Sequence, residues 1–372
     1  MTRISTDVLD RSLALPVAAY CTLVRRLPIT AITGLSAVGV RESATRIREA
    51  VLASGYEWPR QRVELELSNG TDRSASSGTE LGLAVALLVA SGQLSPDRIT
   101  GFAFWGELSM AGEVRPVRGT LAAARSAQAQ GLLLITSVAG AARAARAGIS
   151  AAALPSLAAL ADTVFAPATA EPEPWPTTPL DFGDIVLAEE SLDALVAAAR
   201  TRRPVLLVGP PGCGKTMIAA RLPGILPALT QEDALEIEVL ADVVGLGSTA
   251  QRPFRAPHYT ISPTGLLGGQ SGSHARFGEL ELALRGVLFL DALLEWPARI
   301  LSLLRVELRE PDAPWLVLAS DDGHEEGSKG HDRLLRHLDA LEIEPVWIAV
   351  PADRTGGVSR SSAVLRARVE AP

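Results

Sequence analysis

The sequence predicts an α/β protein in two parts, an α/β layer domain followed by a parallel sheet with helices on both faces. Three observations carry this. Short apolar runs alternate with helical patterns along the 372 residues, the rhythm of layered α/β folds. A proline-rich stretch over residues 166–180 divides that alternation in two. In the second half an apolar strand runs into a glycine-rich loop and then a helix, and further apolar strands follow, as in sheets buried on both faces. A composition of 47% hydrophobic and 21% charged residues is that of a globular protein and excludes disorder throughout.

Taken in order, residues 1–165 offer apolar strands at 31–38, 62–67, 99–106 and 131–136, and helical patterns at 41–54, 81–91 and 120–130. The alanine-rich stretch 137–163 reads as short helices with a strand. Residues 166–180, APATAEPEPWPTTPL, form a linker, because each residue before a proline is pushed toward extended backbone. A cut there is expected to leave an N-terminal half that folds alone. The second domain, 181–355, opens with a helix at 187–199, a strand at 204–208 and a helix at 216–222, and continues with strands at 286–290, 315–319 and 345–350. Residues 356–372 read as a flexible tail. The acidic run 321–331 reads as a solvated loop, and its two histidines and four carboxylates are assigned no metal.

The net charge of −7 provides no global basic field, so any contact with a polyanion must be local. Cys21 and Cys213 are the sole cysteines, which excludes a disulfide scaffold and a cysteine zinc site and fits a reducing cytosol. The N-terminus lacks a basic-then-apolar leader, and the apolar stretch 81–90 is shorter than the ~18 residues a membrane helix needs. A cytoplasmic protein without a membrane partner is expected. All but two of the 35 Lys and Arg residues are arginine. Lys215 and Lys329 therefore stand out, since an ammonium is a compact charge on a flexible stem where arginine is a planar fork.

Lys215 lies in Val205-Leu-Leu-Val-Gly209-Pro210-Pro211-Gly212-Cys213-Gly214-Lys215-Thr216, which matches G-x-x-x-x-G-K-[ST] between a strand and a helix. The glycines let successive N–H groups turn inward around phosphate oxygens, and the helix start adds partial positive charge. Lys215 would reach the β- and γ-phosphates and Thr216 would hold Mg²⁺. Downstream, Val287-Leu-Phe-Leu-Asp291 is an apolar strand ending in the aspartate that would complete the Mg²⁺ shell. Hydrolysis also needs a group to activate water, and the next residue is Ala292, which carries none. Glu295 is a carboxylate in the following turn that could swing toward the site, though it reads first as an ordinary solvated side chain.

The run Gly209–Met217, Arg252-Pro-Phe-Arg255-Ala-Pro-His258, Gly268-Gly269, Gly278-Glu279 and Gly286–Asp291 together resemble the AAA+ module of the magnesium-chelatase-like ComM/YifB family. Upstream, Gly34-Leu-Ser-Ala-Val-Gly39-Val-Arg-Glu42, Ser54-Gly-Tyr-Glu-Trp-Pro59 and Gly106-Glu-Leu-Ser-Met-Ala-Gly112-Glu-Val-Arg-Pro-Val resemble that family's Lon-protease-like N-terminal domain. The resemblance implies a Lon-protease-like α/β domain followed by a P-loop AAA+ parallel-sheet domain. It implies a homo- or hetero-oligomeric ring driven by ATP and Mg²⁺, acting in the ComM branch on branched DNA during recombination and transformation.

Against the family pattern, three groups around one phosphate are replaced. Its Asp-Glu is Asp291-Ala292 here, its sensor asparagine falls on Asp321, where a carboxylate would repel γ-phosphate, and an arginine falls on Ala340. The chain stops at Pro372, before the family's helical lid, so an AAA+ domain lacking that lid is expected. The Lon-type serine nucleophile falls on Glu80 and the lysine base near Leu121, and residues 1–200 contain no lysine, which removes the dyad proteolysis needs. Ser76 and Ser77 read as loop polar residues. Arg252, Arg255, His258 and Arg276 lie where the family places pore-facing loops, and they read equally as DNA-phosphate contacts and as ordinary surface residues.

Three readings follow: an ATP-binding AAA+ protein with weak or lost hydrolysis, an active DNA-stimulated ATPase that borrows groups from a neighbouring subunit, and a non-enzymatic interaction module that assembles with an intact relative.

Overall fold

The computed structural model describes all residues except 1–3, 11–12, 35–36, 69–76, 170–179, 247–250, 272–273, 311, 322–326, 353–356 and 372. The chain divides into two compact units, one of residues 1–174, 238–249 and 270–275, the other of residues 175–237, 250–269 and 276–372.

The first unit carries β1 (Ile4–Asp10), β2 (Leu13–Val24), β3 (Thr30–Thr33), α1 (Ala37–Ala53), β4 (Arg62–Leu67), α2 (Glu80–Ala90), β5 (Phe102–Phe104), the two-residue strands β6 (Glu107–Leu108) and β7 (Val114–Arg115), α3 (Thr120–Ala129), β8 (Leu133–Thr136), α4 (Val138–Arg146) and β9 (Ala151–Ala153). Its seven-stranded mixed sheet runs β3-β4-β2-β1-β5-β8-β9. The antiparallel pair β1-β2 is not among the strands expected from sequence. Val17, Ala18 and Ala19 are buried in succession, so β2 lacks the period-two alternation of a half-exposed strand, and Pro16 lowers its strand signal further. The expected strand 31–38 ends at Thr33 because Gly34 turns to φ +88°, where a Cβ would stand 2.7 Å from the Leu67 carbonyl oxygen. Helix α1 begins three residues later.

The first unit also includes Asp242, whose Oδ2 accepts the Leu121 N–H at 2.8 Å and whose Oδ1 accepts from Arg143 at 2.8 Å. Both Asp242 and Leu121 are buried. A fragment cut within 166–180 lacks this carboxylate. The linker's residues 170–179 lie outside the described residues, and Ala168 just before them donates its N–H to the Ala151 carbonyl at 2.8 Å.

The second unit carries α5 (Glu189–Thr201), β10 (Val205–Val208), α6 (Lys215–Arg221), α7 (Gln231–Val244, ending within the segment grouped with the first unit), β11 (Phe254–Arg255), α8 (Pro263–Leu267), β12 (Gly269–Ser271), β13 (His274–Arg276), α9 (Glu279–Leu282), β14 (Val287–Leu290), α10 (Ala298–Glu307), β15 (Trp315–Ser320), α11 (Lys329–Leu341), β16 (Val346–Ala349) and α12 (Ser362–Glu370). Its main sheet runs β11-β14-β15-β10-β16, with every pair parallel. Successive strand residues serve opposite faces. Val205, Leu207, Phe289 and Val317 pack with residues of α5, α6 and α12, whereas Leu206, Leu288, Leu290 and Leu318 pack with residues of α10 and α11. Two covered faces explain why these strands read as unbroken apolar runs.

Two expectations change here. The tail is not flexible over its whole length: α12 is capped by Ser361 and buries Leu365 and Val369. The acidic run is only partly described, and its end is helical, since Ser328 accepts the His331 N–H at 3.1 Å and caps α11.

Candidate functional site

The glycine loop leaves the carboxyl end of β10, where ligands of parallel sheets sit. Gly209 has no room for a side chain, because a Cβ would collide with the Val350 carbonyl oxygen. Gly212 and Gly214 adopt φ +79° and +94°, the left-handed backbone that turns N–H groups inward as a nest. A Cβ added at Gly212 would meet open space, so its left-handed backbone rather than crowding is what calls for glycine there. The loop thus brings Gly209, Pro210, Pro211, Gly212, Cys213, Gly214 and Lys215 together as the motif requires.

The Lys215 ammonium folds back onto the loop. It donates to the carbonyls of Gly209 at 2.6 Å and Pro210 at 3.0 Å and to Asp321 Oδ1 at 2.6 Å. The lysine side chain is 7% exposed and that of Asp321 52%. Asp321 follows β15, the parallel neighbour of β10 in which Ser320 pairs with Val208, and Gly209 N–H donates to the Ser320 carbonyl at 3.3 Å. Sequence reasoning placed Asp321 near γ-phosphate but missed its grip on the lysine. That contact depends on strand register, which no local pattern reveals.

On the other side, Thr216 Oγ1 donates to Asp291 Oδ2 at 3.0 Å. Asp291 Oδ1 accepts the Ala292 N–H at 2.8 Å, and its carbonyl accepts from Trp296 Nε1 at 2.9 Å. The aspartate is therefore oriented from both ends. A hydroxyl and a carboxylate in contact at the surface fit Mg²⁺, which takes hard oxygen donors, few of them from protein. Ala292 stands in left-handed backbone at φ +49° and offers only a methyl group. Glu295 is exposed on the turn that follows, and Ala340 packs into the core beneath α11.

The arginines of the insert have intramolecular partners. Arg252 donates to the carbonyls of Arg285 and Pro227, and burial, with Arg202 and Arg366 nearby, pushes its guanidinium down to about 10. Arg255 pairs with Glu279 through two hydrogen bonds of 2.5 and 2.8 Å. Its hydrogen bond to that carboxylate, opposed by burial, holds its pKa above the usual arginine value. Both side chains therefore have partners within the chain. His258 is exposed and lies against Tyr259, with ring centroids 4.0 Å apart and the planes tilted by 33°. Arg276 ends β13, and its side chain lies outside the described residues.

In the first unit Glu80 is fully buried. Its carboxylate accepts from Ser43 at 2.7 Å, from Arg46 at 2.6 Å and from the Leu108 N–H at 3.1 Å. An ion pair thus occupies the place where a nucleophile was sought. Ser76 lies outside the described residues, and Ser77 opens a short 3₁₀ turn. Among the described residues no three His, Cys, Asp or Glu side chains gather as a metal cluster, and no helix is long and apolar enough to cross a membrane.

Comparison with known proteins follows the same division. The family described as magnesium chelatase, subunit ChlI, matches residues 181–312, and that described as subunit ChlI of Mg-chelatase matches residues 21–137. The chain is 35% identical over 292 residues to the uncharacterised protein YifB of Salmonella typhimurium, covering 75% of this chain and 57% of the relative. It is 36% identical over 309 residues to an uncharacterised protein of Mycobacterium bovis, covering 80% and 61%. It is 32% identical over 303 residues to the competence protein ComM of Haemophilus influenzae, covering 74% and 57%. The match therefore spans somewhat more than half the length of these relatives.

Proposed function

The chain belongs to the magnesium-chelatase-like ComM/YifB family of AAA+ proteins, and from that premise we propose that it binds ATP with Mg²⁺ and hydrolyses it weakly or not at all. The observation that carries this reading is the convergence of Lys215, Thr216 and Asp291 at the ends of two parallel strands, with Ala292 where a water-activating group would stand. The N–H groups of residues 212–216 would cradle phosphate oxygens, Lys215 would move from its loop carbonyls to the phosphates, and Thr216 and Asp291 would hold the ion. Mg²⁺ neutralises phosphate charge when bound. In the family setting this nucleotide site would belong to an oligomeric ring that acts on branched DNA, with Arg252, Arg255, His258 and Arg276 as the candidates for phosphate contact. The N-terminal Lon-like domain would be non-proteolytic, since Glu80 is tied to Arg46.

A second reading, a module that partners an intact relative without turnover of its own, is favoured by the hold of Asp321 on Lys215. Calorimetry of Mg·ATP with the protein and its Lys215→Ala variant tests nucleotide binding. The expected result is binding by the parent and a loss of at least tenfold in the variant. No binding by the parent, or equal affinity in both, would sink the reading.

A further inference from the structure

We propose that the site selects against a third phosphate: it holds nucleoside diphosphates more tightly than triphosphates, and Asp321 is the residue that sets this preference. The inference rests on the nucleotide-binding reading above and adds the class of nucleotide to it.

Two independent features place the carboxylate. The first is register. Val208 pairs with Ser320 across the parallel β10-β15 ladder, and the Gly209 N–H bonds to the Ser320 carbonyl, so Asp321 stands beside the first glycine of the loop whatever follows it. The second is contact. Asp321 Oδ1 lies 2.6 Å from the ammonium of Lys215, on a side chain about half exposed at the mouth of the loop. A phosphate-loop lysine bridges the β- and γ-phosphates. Here that ammonium already has an anionic neighbour on the side open to solvent.

A nucleotide that ends at the β-phosphate can sit in the nest of N–H groups turned inward by Gly212 and Gly214, while Lys215 keeps or relaxes its pair. A γ-phosphate must share the ammonium with Asp321 and lie a few ångströms from a like charge. Coulomb repulsion at that distance in a partly exposed site is large enough to set a preference of about tenfold. Asp291 does not share this effect, since its oxygens face Thr216 and the Ala292 N–H, the side assigned to the ion.

The test is calorimetric titration of the full chain at fixed Mg²⁺ with ADP and with a non-hydrolysable ATP analogue. The expected result is ADP affinity about tenfold above that of the analogue. The Asp321→Asn variant, which keeps the shape and removes the charge, should gain about tenfold for the analogue while ADP changes by less than threefold. Equal affinities in the parent, both lost in Lys215→Ala, would overturn the selectivity and leave the binding reading intact. Binding of neither nucleotide by the parent would overturn both. If Asp321→Asn does not fold, the ratio measured on the parent alone decides.

Discussion

Ala292 is held at φ +49°, a conformation that costs a non-glycine residue about 1–2 kcal/mol, and its neighbour Asp291 is locked by hydrogen bonds at both ends. The turn thus holds the Asp291 carboxylate in one orientation, and Ala292 itself carries nothing that could activate water. Steady-state phosphate release by the parent should lie at background with or without branched DNA, since loss of an acid–base group commonly costs ~10²- to 10⁴-fold. Ala292→Glu alone should recover little while the Asp321 carboxylate remains. The pair Ala292→Glu with Asp321→Asn should exceed either change alone, because groups that act as a unit are not additive. Turnover of about one per second or faster in the unmodified chain would mean that Glu295 or a neighbouring subunit supplies the base. At this scale the site was half legible. Gly209 to Thr216 follow one another in the chain and announce themselves, and Asp291 closes an apolar run. The Lys215–Asp321 pair joins residues brought together by strand pairing, and the commitment of Arg252 to two carbonyls depends on where a loop packs.

Helix α12 shows what fixes a whole element. Ser362 Oγ accepts the buried Phe182 N–H at 2.8 Å, and Asp181 Oδ2 accepts the Ser362 N–H at 3.1 Å, so the helix start is clasped to the segment before α5. Burial pushes the Asp181 carboxyl up, but the N–H groups of Gly183 and Ser362, the Ser362 hydroxyl and the Arg221 guanidinium outweigh it and leave the group below the usual carboxylate range. A depressed carboxyl adds stability that is present above its unfolded pKa and lost as pH falls through the folded one. Asp181→Asn should therefore melt lower than the parent near neutral pH, and the difference should vanish in acid. Ser362→Ala leaves a buried N–H unpaired and should cost about 1–3 kcal/mol in urea unfolding. The helix was missed because its apolar positions, Leu365 and Val369, are few and lie in an arginine-rich stretch. The long strands of the second unit were read within a residue or two because both of their faces are covered. β2 was missed because alanine and proline hide a strand whose burial comes from its neighbours.

At the scale of the molecule, the proline-rich boundary was legible and the composition of the units was not. Asp242 belongs by contact with residues 1–174 but lies 68 positions beyond their end. A fragment of residues 1–174 should show fast hydrogen exchange at the Leu121 amide, which should be protected in the full chain. Protection retained in the fragment would show that Asp242 is dispensable. The same fragment should cleave no casein, having no lysine to serve as base.

The scarcity of lysine has a practical consequence. Besides the α-amino group, the chain offers two primary amines to an acylating reagent. Lys329 is exposed at the start of α11, whereas Lys215 is buried and held by two carbonyls and a carboxylate. Acylation of Lys215 therefore requires the pair with Asp321 to open, while Lys329 in the same molecule reports the reagent's intrinsic rate. The ratio of the two labels, read by mass spectrometry, is a direct clock for the opening of the phosphate loop.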